Sequence, residues 1–521
     1  MSDAKEPAHV SKWVVALTVM LPTFLEVMDT SVINVSMPHI QGSLNAGLDE
    51  VTWVLTSYLV SNAVIIPITG WLGSVFGRKR YLMFSLILFT VSSLICGAAP
   101  SLEVLVFFRI LQGLGGGGLQ PLSQAILLES FPTKEHGIAM AIYGMGVVMA
   151  PILGPVLGGW ITDNWSWRWV FYINLPMGIL AIALAMLYIH DPPYIRRKTF
   201  KVDTWGLFLL TVGLGCLQIV LDKGEREDWF SSDFILLLTA ISVVALVAFV
   251  IVELHSEHPV VDLRVFRDRS FSAGTTIMFA GFFCLFGSLV LLPLYLQNLM
   301  GYTAFWAGMV LGPGGLASFF VMPIAGVLMK KGVKARYLLG GGLAICSCAL
   351  YLMSGFNLDA SFSAVSLSRM VQGFGMGLFF VPLSAATYAN IRREDTGNAS
   401  GVFNLLRNLG GSFGIAFSTT ILAQRAQVHQ SFLVEHITPY SREFQVWAQD
   451  LCARFGGASI SEGVCQSAIG ITYREVLRQA NMLAFNDVFY LLSLTIATLM
   501  LLLPIFKRKA GGSEAPVGGA H

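Results

Sequence analysis

Long apolar runs separated by short polar connections set the pattern of this chain. Windows of about 20 mostly apolar residues, the length a helix needs to cross the hydrocarbon core of a bilayer, fall at 13–35, 51–75, 81–99, 102–127, 137–161, 169–188, 204–221, 234–253, 271–297, 304–329, 337–356, 362–389, 399–423 and 486–506. These windows predict about fourteen spanners and an all-α integral membrane protein. The first is not read as a cleavable signal peptide, being too long, carrying Glu26 and Asp29, and leading into further spans.

The stretch 107–160 shows most clearly where polar and small residues interrupt the apolar pattern. Its first half, FFRILQGLGGGGLQPLSQAILLESF, places Arg109 and Gln112 inside a spanner. An ionisable side chain there costs at least ~2.5 kcal/mol unless a partner or a wet cavity offsets it. Its second half, GIAMAIYGMGVVMAPILGPVLGGW, puts Gly146, Ala150, Gly154 and Gly158 on one stripe, smooth enough for another backbone to approach closely. Pro151 and Pro155 on the same helix each remove a backbone donor. A bent, closely packed helix beside a buried arginine points to a moving part.

Lys and Arg in the connections set the orientation. Alternate loops collect Arg78, Lys79 and Arg80; Arg196, Arg197, Lys198 and Lys201; Arg264, Arg267 and Arg269; Lys330, Lys331, Lys334 and Arg336; Arg392 and Arg393; and Lys507, Arg508 and Lys509. The opposite short loops hold Arg168, Lys223 and Arg226. Both termini are therefore expected in the cytoplasm.

The chain also repeats itself. PITGWL at Pro67 returns as PIAGVL at Pro323, and Arg80-Tyr81-Leu82 returns as Arg336-Tyr337-Leu338, both at an offset of 256. Arg109-Ile-Leu-Gln112-Gly113 returns as Arg369-Met-Val-Gln372-Gly373, with Pro-Leu-Ser following at Pro121 and at Pro382. An even number of spanners separates the copies, so they point the same way through the membrane. The expected domains are an N-terminal six-helix bundle over 1–200, two inserted helices over 201–262, and a C-terminal six-helix bundle over 263–509. The second bundle carries one long outer connection at 424–485, and a flexible tail follows at 510–521.

Composition agrees with that picture: 55% of residues are apolar and 12% charged, with a mean hydropathy of +0.68. The formal charge of +2 is confined to short loops and gives no footprint for nucleic acid. Neither a metal-ligand spacing nor a nucleophile with a base stands out, and the glycines at 115–118 follow no strand that would make them a phosphate cradle. Five of the seven cysteines lie in apolar spans, while Cys452 and Cys465 lie in the outer connection, as a disulfide or as two thiols.

The motifs resemble those of the fourteen-spanner drug:proton antiporters of the major facilitator superfamily, the EmrB/QacA-like branch, over nearly the whole chain. LEVMDTSVINVSMPHI in the first spanner is similar to that branch's opening motif. GWLGSVFGRKR, with Gly70, Gly77 and Arg78, resembles the superfamily's loop motif, although Ser74 stands where an aspartate is usual. FRILQG at 108–113 resembles the motif whose arginine is linked to proton coupling, and APILGPVLGG at 150–159 the motif that separates exporters from importers. The resemblance implies two parallel six-helix bundles plus two extra helices, with alternating access around a midplane site. It further implies proton-driven export of hydrophobic or amphipathic compounds from the bacterial inner membrane, no cofactor, and work with a periplasmic adaptor and an outer-membrane channel.

Candidate site residues follow from depth. Asp29 and Arg109 each lie seven or eight residues below the outer end of their helices, roughly 10 Å at ~1.5 Å per residue. They are expected to pair, either to fix helix packing or to exchange a proton when the pair opens and re-forms. Glu26, one turn away, is a second proton site, a recognition site for a cationic compound, or a carboxylate facing a hydrated cavity. Arg369 holds the equivalent place in the second copy, whose first spanner has no acid. Glu129 reads as a solvated helix-end residue, and Arg407 as either a helix lock or a substrate contact. Asn34, Gln112, Met145, Phe283, Phe286, Tyr295, Phe403 and Arg407 are candidates for an adaptable cavity wall. Gly70, Gly77, Arg78, Gly146, Ala150, Pro151, Gly154, Pro155 and Gly158 are candidates for conformational change. The rival readings are an exporter of a fatty acid or metabolite, a nutrient importer, and, least supported, a membrane enzyme or sensor.

Overall fold

The computed structural model describes residues 11–191, 203–257, 259–437, 442–454 and 464–505. Its long helices run in chain order as α1 (Lys12–Leu44), α2 (Trp53–Phe76), α3 (Arg78–Ala98), α4 (Leu102–Gly116 continued by Leu119–Ser130), α5 (His136–Asn164), α6 (Asn174–Tyr188) and α7 (Thr204–Lys223). They continue as α8 (Asp233–His255), α9 (Arg269–Leu294, ending in a π turn at Tyr295–Leu299), α10 (Ala304–Lys330), α11 (Ala335–Met353), α12 (Phe362–Thr387), α13 (Thr396–His436) and α14 (Val464–Leu499). Thirteen helices among the described residues are long and apolar enough to span a bilayer, compatible with fourteen. The remaining one, α13, has the length but carries Asn404, Arg407, Asn408 and Ser412 in its central turns.

The prolines do not end these helices. Pro151 and Pro155 lie within an unbroken α5, as Pro22 and Pro38 do within α1. Neighbouring helices help satisfy the groups a proline frees: the Ser31 hydroxyl of α1 donates to the Pro151 carbonyl at 3.4 Å. Small residues set how closely helices approach. A Cβ on Gly158 would lie 2.9 Å from the Val32 carbonyl oxygen, and one on Gly146 would lie 2.9 Å from Met20 Cγ. Ala150 is fully buried on the same stripe. The second copy repeats the device, since a Cβ on Gly414 of α13 would lie 2.7 Å from Phe283 Cα of α9.

The copies meet chiefly where α5 packs on α10 and α2 on α13, with α4 against α13 and α5 against α12 beside them. A Cβ on Gly70 would stand 2.6 Å from the Asn398 backbone, and one on Gly326 would stand 2.9 Å from the Gly137 carbonyl oxygen. Glu135 clamps this edge by accepting from both Lys12 and Lys330, the latter at 3.0 Å. These contacts hold the two copies together at this edge. Gly77, at φ 89°, turns the chain from α2 into α3, where Asp191 accepts from the Lys79 backbone at 2.8 Å. Arg78 and Glu129 form an ion pair with side chains only 6% and 7% exposed, which corrects the expectation that Glu129 is a solvated end residue. Ser74, in the place of the usual aspartate, donates to the nearby Trp71 carbonyl at 2.7 Å.

The α7–α8 hairpin lies against one seam. Asp222 of α7 accepts from Thr56 of α2, and Gln218 donates to Ser412 of α13 at 3.1 Å. Trp229, in the turn before α8, reaches Thr420 at 2.9 Å. The expected loop at 424–485 is largely helical, because α13 runs on to His436, a separate helix covers Arg442–Arg454, and α14 begins at Val464. At its base Asp487 accepts from Arg425 at 2.5 Å and meets His429 at 2.8 Å. The side chains of Cys452 and Cys465 lie outside the described residues, as do Arg196, Arg197, Lys198, Lys201 and the tail.

Candidate functional site

Glu26 and Asp29, three residues apart on α1, lie on one buried face, 5% and 1% exposed. Asp29 is the centre of a closed cluster. Its carboxylate accepts from Arg109 Nη1 at 2.6 Å, Gln112 Nε2 at 2.9 Å and Asn174 Nδ2 at 2.7 Å. Arg109 is fully buried, donates from Nε to the Val54 carbonyl at 2.9 Å, and lies 4.0 Å from the centre of the Tyr58 ring. Gln112 accepts from Arg109 at 2.9 Å, and Asn174 reaches on to Ser93 at 3.1 Å. Buried charges demand such compensation; here α1, α2, α3, α4 and α6 together supply it.

Glu26 faces the other copy. It accepts from Asn62 of α2 at 2.9 Å and from the side-chain amide of Gln120 on α4. The Gln120 carbonyl oxygen accepts in turn from Arg407 of α13, and from the Tyr143 hydroxyl of α5 at 3.4 Å. Arg407, 2% exposed, also donates to Tyr143 at 3.1 Å and lies 5.6 Å from the centre of the Phe282 ring. Below it Gln124 accepts from Asn404 at 2.6 Å, Ser400 at 3.1 Å and Tyr388 at 3.3 Å, and the one hydroxyl proton of Tyr143 has Asn404 Oδ1 at 3.2 Å as its alternative acceptor to Gln120. The two copies are thus joined through a buried polar network on the cytoplasmic side of Glu26.

The second copy builds the Arg109 motif with no carboxylate on its arginine among the described residues. Arg369 donates to Gln372 at 2.5 Å, and Gln372 donates to Ser288 at 2.8 Å.

The structure places the expected wall residues in different surroundings. Gln112 belongs to the Asp29 cluster and Arg407 to the seam between copies. Tyr295 and Phe403 are fully buried packing residues, correcting their placement on a cavity wall: Tyr295 donates to the Asn357 carbonyl at 2.8 Å and stacks on Phe356, and Phe403 lies 5.3 Å from the Tyr388 ring. Met145, Phe283 and Phe286 are half-buried and Asn34 is exposed. A separate groove of about 870 Å³ opens near the outer end of α2, lined by Glu50, Trp53, Glu103, Phe107, Ile110 and Ile219. Sequence reasoning missed Asn62, Gln120, Tyr143, Asn174 and Asn404. Their one signal is an amide or phenol inside an apolar span.

Both the sequence and the fold have known relatives. The model of the Major Facilitator Superfamily matches residues 19–415. The chain is 35% identical over 508 residues to the multidrug export protein EmrB of Escherichia coli, covering 98% of each chain. It is 41% identical over 428 residues to EmrB of Haemophilus influenzae, covering 82% of this chain and 83% of that one. It is also 36% identical over 475 residues to the fatty acid resistance protein FarB of Neisseria gonorrhoeae, covering 91% and 92%. Two solved structures share the fold at 14% identity. The human organic anion transporter MFSD10 has a TM-score of 0.59, covering 94% of this chain and 100% of its own, and the proton:xylose symporter XylE has 0.58, covering 94% and 95%. The chain belongs to the Major Facilitator Superfamily, among its EmrB-like members, and is a multi-pass transporter of the bacterial inner membrane rather than an enzyme.

Proposed function

We propose that this chain exports hydrophobic and amphipathic compounds, antibiotics among them, in exchange for protons, by alternating access between the copies at 1–200 and 263–509. The observation that carries the reading is the placing of Glu26 and Asp29. One helix bears two buried carboxylates, Asp29 held by Arg109 within the first copy and Glu26 joined through Gln120 to Arg407 of the second. A proton arriving at either carboxylate weakens its charge-assisted hydrogen bonds and changes the balance of forces on helices that must move. Among the described residues Arg369 meets Gln372 and no carboxylate, which supports direct arginine–carboxylate coupling in the first copy alone. The proton gradient is the energy source, and no cofactor enters.

The relatives named for multidrug export and fatty acid resistance support amphipathic cargo. The half-buried Met145, Phe283 and Phe286 would give such cargo an adaptable apolar wall. The helical outer segments beyond 424 would dock a periplasmic adaptor leading to an outer-membrane channel. Purified protein in proteoliposomes should release protons when a transported compound is added to one side and remain silent with an inert one. Compound movement that ignores the proton gradient would end the antiport reading while leaving export in place.

A further inference from the structure

We propose that Gln120 is a positioning residue that transmits the charge state of Glu26 to Arg407, keeping the cytoplasmic seam closed while Glu26 is ionised and releasing it when Glu26 takes a proton. The inference rests on the antiport reading above and deepens it.

Arg407 lies buried at the seam between the copies. Its partners among the described residues are the Gln120 carbonyl oxygen, the Tyr143 hydroxyl, Asn408 at 3.4 Å and the face of Phe282, none of them anionic. A guanidinium has five donors and no acceptor, so this buried cation depends on oxygen atoms presented to it from the first copy. The carboxylate facing it across Gln120 is Glu26. One side-chain amide therefore stands between an anion on α1 and a cation on α13.

Hydrogen-bond polarity makes that arrangement directional. An ionised carboxylate only accepts, so Glu26 draws the NH2 end of Gln120 toward itself. The oxygen end is thereby aimed at Arg407 and Tyr143. Oε1 of Glu26 faces Asn62 and Oε2 faces Gln120, so a proton taken on Oε2 becomes a hydroxyl donor for which the amide oxygen of Gln120 is the acceptor. Turning the amide to accept that proton presents NH2 to Arg407, donor against donor. Arg407 then loses its acceptor on α4 and the seam loses a link beside Tyr143.

The groups facing Glu26 are Asp29 on its own helix, Tyr58 and Asn62 on α2, Gln120 on α4, Tyr143 on α5 and Arg407 on α13, with Arg109 behind Asp29. Asp29 has three donors of its own, so it is not the acceptor that holds Gln120. The direction suits antiport. A protein closed on the cytoplasmic side, having released cargo outward, takes a proton from outside and is freed to open inward.

The test uses the full chain in lipid nanodiscs, with spin labels on unnatural amino acids at the exposed positions Lys134 and Lys331, which flank the seam. In the unsubstituted protein the distance between labels should lengthen on moving from alkaline to acidic buffer. Gln120→Met keeps the length but neither donates nor accepts through an amide, and should give the long distance in both buffers. Gln120→Glu sets a carboxylate against Arg407 and should hold the short distance in both, so a folding defect in one variant leaves the other to decide. An acid-induced lengthening unchanged in Gln120→Met, or absent from the unsubstituted protein, overturns the relay. Proton release by the same preparations in proteoliposomes separates the two levels: none from the unsubstituted protein removes the antiport reading, whereas release with an unaltered pH response in Gln120→Met removes the relay alone.

Discussion

Ser288 occupies in the second copy the place that Asp29 occupies in the first. Gln372 donates to the Ser288 hydroxyl at 2.8 Å as Gln112 donates to the Asp29 carboxylate at 2.9 Å. The two copies keep the Arg-x-x-Gln geometry but only one keeps the charge. Asp29→Asn should therefore abolish proton-coupled efflux in vesicles, since the amide retains the volume but cannot exchange a proton. It also leaves Arg109 buried without its counter-ion, a loss that typically costs 3–5 kcal/mol, roughly, so a lower melting temperature should accompany the defect. Full gradient-driven transport by the folded variant would show that the pair only fixes helix packing.

The approach of α5 to α1 gives a second expectation. From sequence alone Gly154→Ala looks mild and Gly154→Leu severe. In the structure a Cβ on Gly154 would lie 2.5 Å from Ser31 Oγ and 2.6 Å from Ser31 Cβ, too close for either to stay where it is. Gly154→Ala should thus already slow transport and lower thermal stability, and Ser31→Gly should restore much of both. Neighbours that share a contact commonly show coupling of about 0.5–3 kcal/mol in a double-mutant cycle. Strict additivity of the two changes in melting temperature would remove the contact as the cause.

The buried pair at the cytoplasmic edge makes a third. Arg78 and Glu129 side chains are 6% and 7% exposed. Glu129→Gln should destabilise the protein by several kcal/mol, about 3–5 by analogy with other buried pairs broken on one side. The double change Arg78→Gln with Glu129→Gln should cost less than Glu129→Gln alone, because no uncompensated charge remains. Thermal unfolding in one detergent, measured for both variants, checks the order; a double variant less stable than Glu129→Gln alone would contradict it.

Much of this architecture was legible in the sequence, because apolar length and the repeat at an offset of 256 are properties of long segments. The Asp29–Arg109 pair was legible for a related reason: two charges at one depth in lipid have few other partners. The Glu26–Gln120–Arg407 connection was not, since it depends on which helix faces enter the seam, and an isolated glutamine in an apolar span says nothing of its azimuth. Tyr295 and Phe403 illustrate the same limit in reverse. An aromatic residue near the middle of a spanner has one appearance in sequence, whether it lines a cavity or fills a core.

The outer connection between α13 and α14 carries helical segments of its own. Any facilitator bundle needs its helices joined, but moving a small molecule requires no excursion of this length, and long connections in compact proteins are usually functional. Here the excursion has a firm base, where Asp487 accepts from Arg425 at 2.5 Å and meets His429 at 2.8 Å, while Val446 and Trp447 beyond it are exposed. An anchored helical projection with exposed apolar residues suits a partner helix laid against it. Deleting 430–475 spares Arg425, His429 and Asp487, so the bundle should fold and transport in reconstituted vesicles much as before. Cells that rely on the envelope-spanning assembly should nevertheless lose resistance. If the inserted, folded variant loses vesicle transport as well, the projection serves as a lid over the outer opening, because an adaptor is absent from that assay and its loss could not slow it.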